Sequence, residues 1–447
     1  MRSEELVFRL TDAVPAPGYS PFEKPINLEM RHGETWLITG ANGSGKTTLG
    51  KVLAKAVRLK AGSLEYGFDS QRDALYVGFQ DELAGALTFH QLKWNQGMRE
   101  DEEQRVADLI CGDEQEAFGL EQLADRPVIS LSTGELRRVQ LALVLKRHPK
   151  LLILDDPATG LDVDAAQVMW EALKMIADKG ETAIVVISPV APAGVMSFSR
   201  TIALGNVLLP CAPLVDRNPV FSSHTPNGTD APIVEMKNVT VVYGGRTILK
   251  DVNWTIRRGE QWVVRGKNGS GKTTLLSLLT GDNPNAYGQD IRMWGRRRGT
   301  GESIWDIKRR VGCLHAEVYR ALRRPIAVDA LVATALHEQN GLYHRLNDDD
   351  EPLIYPFLEA FGLVGIRKRL YTDLSTGEQH RALLARTMAK RPELLILDEP
   401  FHCLDEYWIG RLLQIIDTFA AQGGTLLLVT HRSGLVPQCV TKELVLG

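Results

Sequence analysis

The sequence predicts two consecutive α/β domains, each built on a buried parallel sheet, and three observations carry that prediction. The first is an internal repeat. "ITGANGSGKTTL" begins at 38 and "VRGKNGSGKTTL" at 264, an offset of 226 (Gly40 to Gly266). "LSTGE" begins at 131 and again at 374, an offset of 243 (Ser132 to Ser375). The second is local context. Each glycine loop follows an apolar run, "ETWLIT" or "EQWVVR", and precedes a helical pattern, "LGKVLAKAV" or "LLSLLT". Strand, loop, helix is the setting that gives such a loop meaning. The third is the pair "LLILDDPATGLD" at 151 and "LLILDEPFHCLD" at 394, apolar runs that end in acids as buried parallel strands do.

Length agrees with duplication, because 447 residues exceed one ordinary domain. The extra 17 residues of the second copy fall between its glycine loop and LSTGE, as the two offsets, 226 and 243, require. The domains are expected at 1–210 and 233–447. They are joined by "CAPLVDRNPVFSSHTPNGTDAP" at 211–232, which is rich in Pro, Ser, Asn and Thr and lacks helical periodicity. Such a short polar linker does not suit a long helical arm between the domains.

Composition narrows the class. Hydrophobic residues at 44% and charged residues at 24% are those of a globular protein, and a net charge of −3 favours no polyanionic partner. The five cysteines (Cys111, Cys211, Cys313, Cys403, Cys439) form no CxxC pair, which argues against a metal cage or disulfide framework. The longest apolar stretch, 182–198, contains two prolines and falls short of a membrane span; its front half reads as a strand. The N-terminus lacks a signal core, so the expected location is cytoplasmic, with any membrane part supplied by another chain.

The glycine loops carry the chemistry. Gly40-x4-Gly45-Lys46-Thr47 and Gly266-x4-Gly271-Lys272-Thr273 both fit G-x4-G-K-[ST], the P-loop. Their backbone N–H groups, with a helix N-terminus, can wrap a polyphosphate. Candidate ATP-binding residues are Gly40, Asn42, Gly43, Gly45, Lys46, Thr47 and Thr48, with Gly266, Asn268, Gly269, Gly271, Lys272, Thr273 and Thr274. Thr47 with Asp155, and Thr273 with Asp398, are the candidate Mg²⁺ ligands, since ligands bind at the C-terminal edge of parallel sheets.

LSTGE, placed 23 residues before the strand-end Asp in both halves, resembles the LSGGQ signature of the ABC transporter ATPases. The chain therefore resembles a tandem ABC ATPase over nearly its whole length. The segment at 280–312 and the LSTGE variants bring it nearest to the ModF-like tandem ATPases, a subgroup associated by name with molybdate transport. The resemblance implies two P-loop NTPase domains. Each would have a RecA-like core, an antiparallel β edge and a helical subdomain, and the two would pack head to tail. It implies ATP and Mg²⁺ as ligands. It also implies that Ser132 and Gly134 face the second P-loop, and Ser375 and Gly377 the first. A membrane permease is the implied partner; the alternative is a non-transport ABC ATPase acting on the ribosome or nucleic acid.

The family's other positions divide unequally between the halves. The catalytic Glu after the strand-end Asp is Glu399 in the second half and Asp156 in the first. The switch histidine is His431, but Pro189 stands in the first half. The adenine-stacking aromatic fits Tyr243; its counterpart is Pro17, with Tyr19 or Phe22 as alternatives. The Q-loop runs the other way: Gln80 approaches Mg²⁺ in the first half, while Ala316, flanked by His315 and Glu317, replaces it in the second. The D-loop aspartates Asp162 and Asp405 are both present, with Cys403 where the first half has glycine. The expectation is that the Lys272 site hydrolyses ATP and the Lys46 site holds it as a clamp.

One segment stands outside this scheme. "RMWGRRRGTGESIWDIKRR" at 292–310 holds seven Arg/Lys interleaved with Trp294 and Trp305. It reads either as a nucleic-acid contact or, the favoured reading, as a solvated hairpin with anchoring tryptophans and neighbouring acids Glu302 and Asp306.

Overall fold

A computed structural model describes residues 5–16, 22, 24–69, 73–78, 105–110, 112, 116, 118–128, 131, 133–158, 161, 163–188, 196–205, 219–221, 232–243, 246–266, 269–281, 283–315, 325–337, 347–430 and 434–446. The chain forms two compact units, Met1–Leu209 with Ser375–Gly377, and Pro210–Leu374 with Glu378–Gly447.

The first unit contains strands β1 (Leu6–Pro15), β2 (Ile26–Arg31), β3 (Thr35–Thr39), β4 (Leu59–Tyr66), β5 (Ala74–Val77), β6 (Leu151–Asp155), β7 (Ala183–Ile187) and β8 (Arg200–Ala203). Its helices are α1 (Lys46–Leu53), α2 (Val106–Leu109), α3 (Thr133–Leu145) and α4 (Val163–Lys179). The central sheet runs β5-β6-β7-β3-β8, all parallel, and a separate antiparallel sheet runs β2-β1-β4. Every residue of β6 and β7 is buried, as expected of strands covered on both faces. The pleat sends Leu152 and Leu154 to one face, against Leu141, Trp170 and Leu173, and Leu151 and Ile153 to the other, against Phe8, Trp36 and Leu49.

The second unit repeats the plan. It contains β9 (Pro232–Tyr243), β10 (Arg246–Arg257), β11 (Gln261–Gly266), β12 (Asp290–Met293), β13 (Arg296–Arg297), β14 (Val311–Leu314), β15 (Leu394–Asp398), β16 (Thr425–Val429) and β17 (Lys442–Leu446). Its helices are α5 (Lys272–Thr280), α6 (Ile304–Arg310), α7 (Val328–Ala333), α8 (Glu351–Ala360), α9 (Thr376–Ala389) and α10 (Glu406–Ala421). The parallel sheet order β14-β15-β16-β11-β17 matches the first unit strand for strand, beside an antiparallel sheet β10-β9-β12-β13. Helices α7 and α8 pack against each other.

The basic segment is structured. Arg298 is buried and ion-paired to Glu302, which also accepts the N–H groups of Gly299 and Thr300. Arg310 and Arg258 converge on Glu393, where Trp294 Nε1 also donates. Trp294 is thus an anchor, whereas Trp305 is 38% exposed. Within the linker, Phe221 is buried between Phe357 of α8 and Phe419 of α10, and its N–H donates to Gln422 Oε1. Among the described residues, no helix is long and apolar enough to cross a membrane.

Candidate functional site

Each glycine loop joins the fourth strand of its parallel sheet to a helix. Gly45 and Gly271 cap α1 and α5 with φ of 90 in the left-handed region, where an L side chain is strained. A Cβ at Gly40 would stand 2.6 Å from Leu204 O, and one at Gly266 2.6 Å from Leu446 O. Glycine is required there because the loop lies directly against the edge strand's end. Lys46 Nζ donates to Gly40 O (2.7 Å) and Ala41 O (2.8 Å), and Lys272 Nζ to Gly266 O (2.6 Å). Both ammonium groups are therefore held over the mouth of their own loop.

The acids come from the neighbouring strands. Asp155 ends β6 and is 1% exposed; it accepts from Tyr76 Oη at 2.7 Å and from the Thr47 hydroxyl. Burial raises its pKa, against which those two donors and the charge of Lys46 act. In the second unit burial pushes Asp398 up to about 6, and Lys272 pulls it back. The position of Tyr76 is taken there by Cys313, since each pairs with the middle isoleucine of the LLILD strand. Hydroxyl and carboxylate oxygens beside a phosphate-wrapping loop are hard donors that fit Mg²⁺, which keeps waters and phosphate in the rest of its shell.

The next residue differs between halves only in its side chain. Asp156 has φ of 51 and Glu399 φ of 49, and each amide donates at 2.9 Å to the last residue of the adjoining strand, Ile187 or Val429. Both carboxylates therefore start from the same backbone, and Asp156 is recessed by one methylene. Burial and the adjacent Asp155 push Asp156 up to about 8, against the pull of Lys46 and Arg137. Glu399 Oε2 lies 3.4 Å from Thr430 Oγ1 and 3.4 Å from His402 Nε2.

Several predicted positions lie outside the described residues: Gln80, Ser132, Pro189, His431, Asn268, Asp162, Ala316, Glu317, Pro17 and Tyr19. Tyr243 ends β9, though its side chain is likewise outside them. Asn42, Gly43, Thr48, Gly269, Thr273 and Thr274 lie on the loops or first helical turns, and Gly134 on the first turn of α3. Ser375 immediately precedes α9, which includes Gly377. Phe22 is half-buried against the first unit's core. Asp405 caps α10, accepting from Trp408 N at 2.9 Å, and Cys403 takes a φ of 60 where glycine stands in the other half.

The "ABC transporter" family model matches residues 24–159 and 249–402, well over half of the chain. The chain belongs to the ABC transporter ATP-binding family. Both ABC cassettes are covered, and members of this family bind and hydrolyse ATP. The chain is similar to the ABC transporter ATP-binding protein ModF of Escherichia coli, at 32% identity over 93% of this chain and 92% of that one. An uncharacterized ABC transporter ATP-binding protein of Schizosaccharomyces pombe is 27% identical over 95% and 94%. A putative one of Methanosarcina mazei is 26% identical over 93% and 88%. The tandem arrangement thus extends through relatives of nearly the same length.

Sequence reasoning missed His402 and His380. His380, inside α9, is 2% exposed and its Nε2 lies 2.6 Å from Pro400 O. His402 lies in the LLILDEPFHCLD stretch and contacts Glu399 itself, whereas His380 reaches the carbonyl of the residue after it.

Proposed function

We propose that this protein is an asymmetric tandem ATPase in which the Lys272 site turns over ATP and the Lys46 site holds it. The observation that carries this reading is the pair Asp156 and Glu399, which share one backbone geometry and differ by one methylene. A carboxylate drawn back by about 1 Å can lose on the order of 100-fold in rate. Lys46 and Lys272, now on loop carbonyls, would turn to the β- and γ-phosphates. Glu399 would orient the attacking water, with His431 at the γ-phosphate and Tyr243 on the adenine. Thr47 with Asp155 and Gln80, and Thr273 with Asp398, would hold Mg²⁺, which supplies neutralisation of phosphate charge.

In this reading each signature, Ser132 with Gly134 and Ser375 with Gly377, closes on ATP bound to the other cassette. Binding draws the cassettes together head to tail, and hydrolysis releases them. The protein would act in the cytoplasm as the energy-coupling partner of a membrane permease. Molybdate as cargo rests only on the name of the ModF relative. Lys46→Ala and Lys272→Ala test the division of labour. Lys272→Ala should abolish phosphate release while still binding one nucleotide, and Lys46→Ala should lose one nucleotide yet keep measurable turnover. Wild-type turnover in Lys272→Ala contradicts the reading. Affinity capture of the tagged protein, with permease against ribosome as the readout, tests the partner.

A further inference from the structure

We propose that His380 is a positioning residue for Glu399, tying the signature helix to the turn that carries the catalytic acid of the same cassette. The inference rests on the reading of Glu399 given above. A carbonyl oxygen only accepts, so the 2.6 Å contact requires that His380 Nε2 carries the proton and donates to Pro400 O. Burial keeps the imidazole neutral, with its pKa lowered to about 4. Pro400 follows Glu399, a non-glycine residue with φ of 49, a strained conformation that must be held by its surroundings. The turn is pinned on both sides. Strand β16 takes the Glu399 amide through Val429 O, and α9 takes the Pro400 carbonyl through His380.

The first cassette serves as an internal control. At an offset of 243 its counterpart of His380 is Arg137, also buried at 5% exposure. Arg137 Nη1 donates instead to Gly78 O at 2.9 Å, two residues before Gln80. The turn at Asp156 nevertheless has φ of 51 and the same amide bond to Ile187. Histidine is therefore not needed to build this turn. The two signature helices are hydrogen-bonded to the ends of different strands, through Gly78 after β5 in the first cassette and Pro400 after β15 in the second, while Arg137 acts on Asp156 through its charge. Since α9 begins beside Ser375 and Gly377, a shift of that helix when the signature engages ATP would be carried to Glu399.

The test compares His380→Phe with His380→Gln in the full-length protein. Phenylalanine keeps the ring volume without the donor, whereas the glutamine amide can still donate to Pro400 O. His380→Phe should lower kcat about tenfold with KM for ATP nearly unchanged, and His380→Gln should recover most of it. In a Glu399→Gln background, measured by single-turnover hydrolysis, His380→Phe should cause no further loss. Three results overturn the proposal: wild-type kcat in His380→Phe, equal losses in Phe and Gln that track a lower folded fraction, or a full further loss in the Glu399→Gln background. Wild-type turnover in Glu399→Gln itself would instead sink the assignment of the acid.

Discussion

Asp155 depends on its donors, because a carboxylate at 1% exposure has little water to solvate it. Tyr76→Phe removes the 2.7 Å bond and should cost about 1–3 kcal/mol of stability while raising the Asp155 pKa further; urea unfolding and carboxylate NMR check both. At Asp156, restoring the methylene alone should do little. Asp156→Glu is expected to change phosphate release by less than about twofold, since Pro189 still stands at the position the proposed mechanism gives to a histidine. His380 adds a pH dependence. Its folded pKa, about 4, lies below the ordinary value of 6.5. The unfolded chain therefore takes up the proton first, and stability falls as pH drops from about 6.5 toward 4. His380→Gln should flatten that part of the urea-midpoint profile.

At the scale of elements, the strands and glycine loops were legible because their signals are local. The apolar runs at 35, 151, 183, 261 and 394 all became parallel strands, and both G-x4-G-K-T motifs became strand-to-helix turns. Contacts made by residues distant in sequence were not legible. Nothing around Phe221 marks it as an aromatic plug between α8 and α10, some 136 and 198 residues away, nor does any spacing rule join His380 to Pro400. Phe221→Ala should destabilise the second unit by about 3 kcal/mol, read from the loss of its unfolding midpoint. Helix α1 shows the same limit. Gly50 reads as a weak point in a helix, yet a Cβ there would meet Ile187 Cδ1 at 2.5 Å, so glycine lets α1 settle onto the sheet.

At the scale of the whole molecule, duplication produced two cassettes with one strand order and unequal acids. The basic segment fits this picture as part of the second fold, because Arg298 and Arg310 are committed to Glu302 and Glu393. The proposed asymmetry of the two cassettes is tested by ATP turnover of Glu399→Gln and Asp156→Asn, measured side by side in the full chain. Glu399→Gln should lose about 100-fold or more in kcat while Asp156→Asn stays within about twofold of wild type. The reverse pattern, with Asp156→Asn inactive and Glu399→Gln turning over normally, would contradict it.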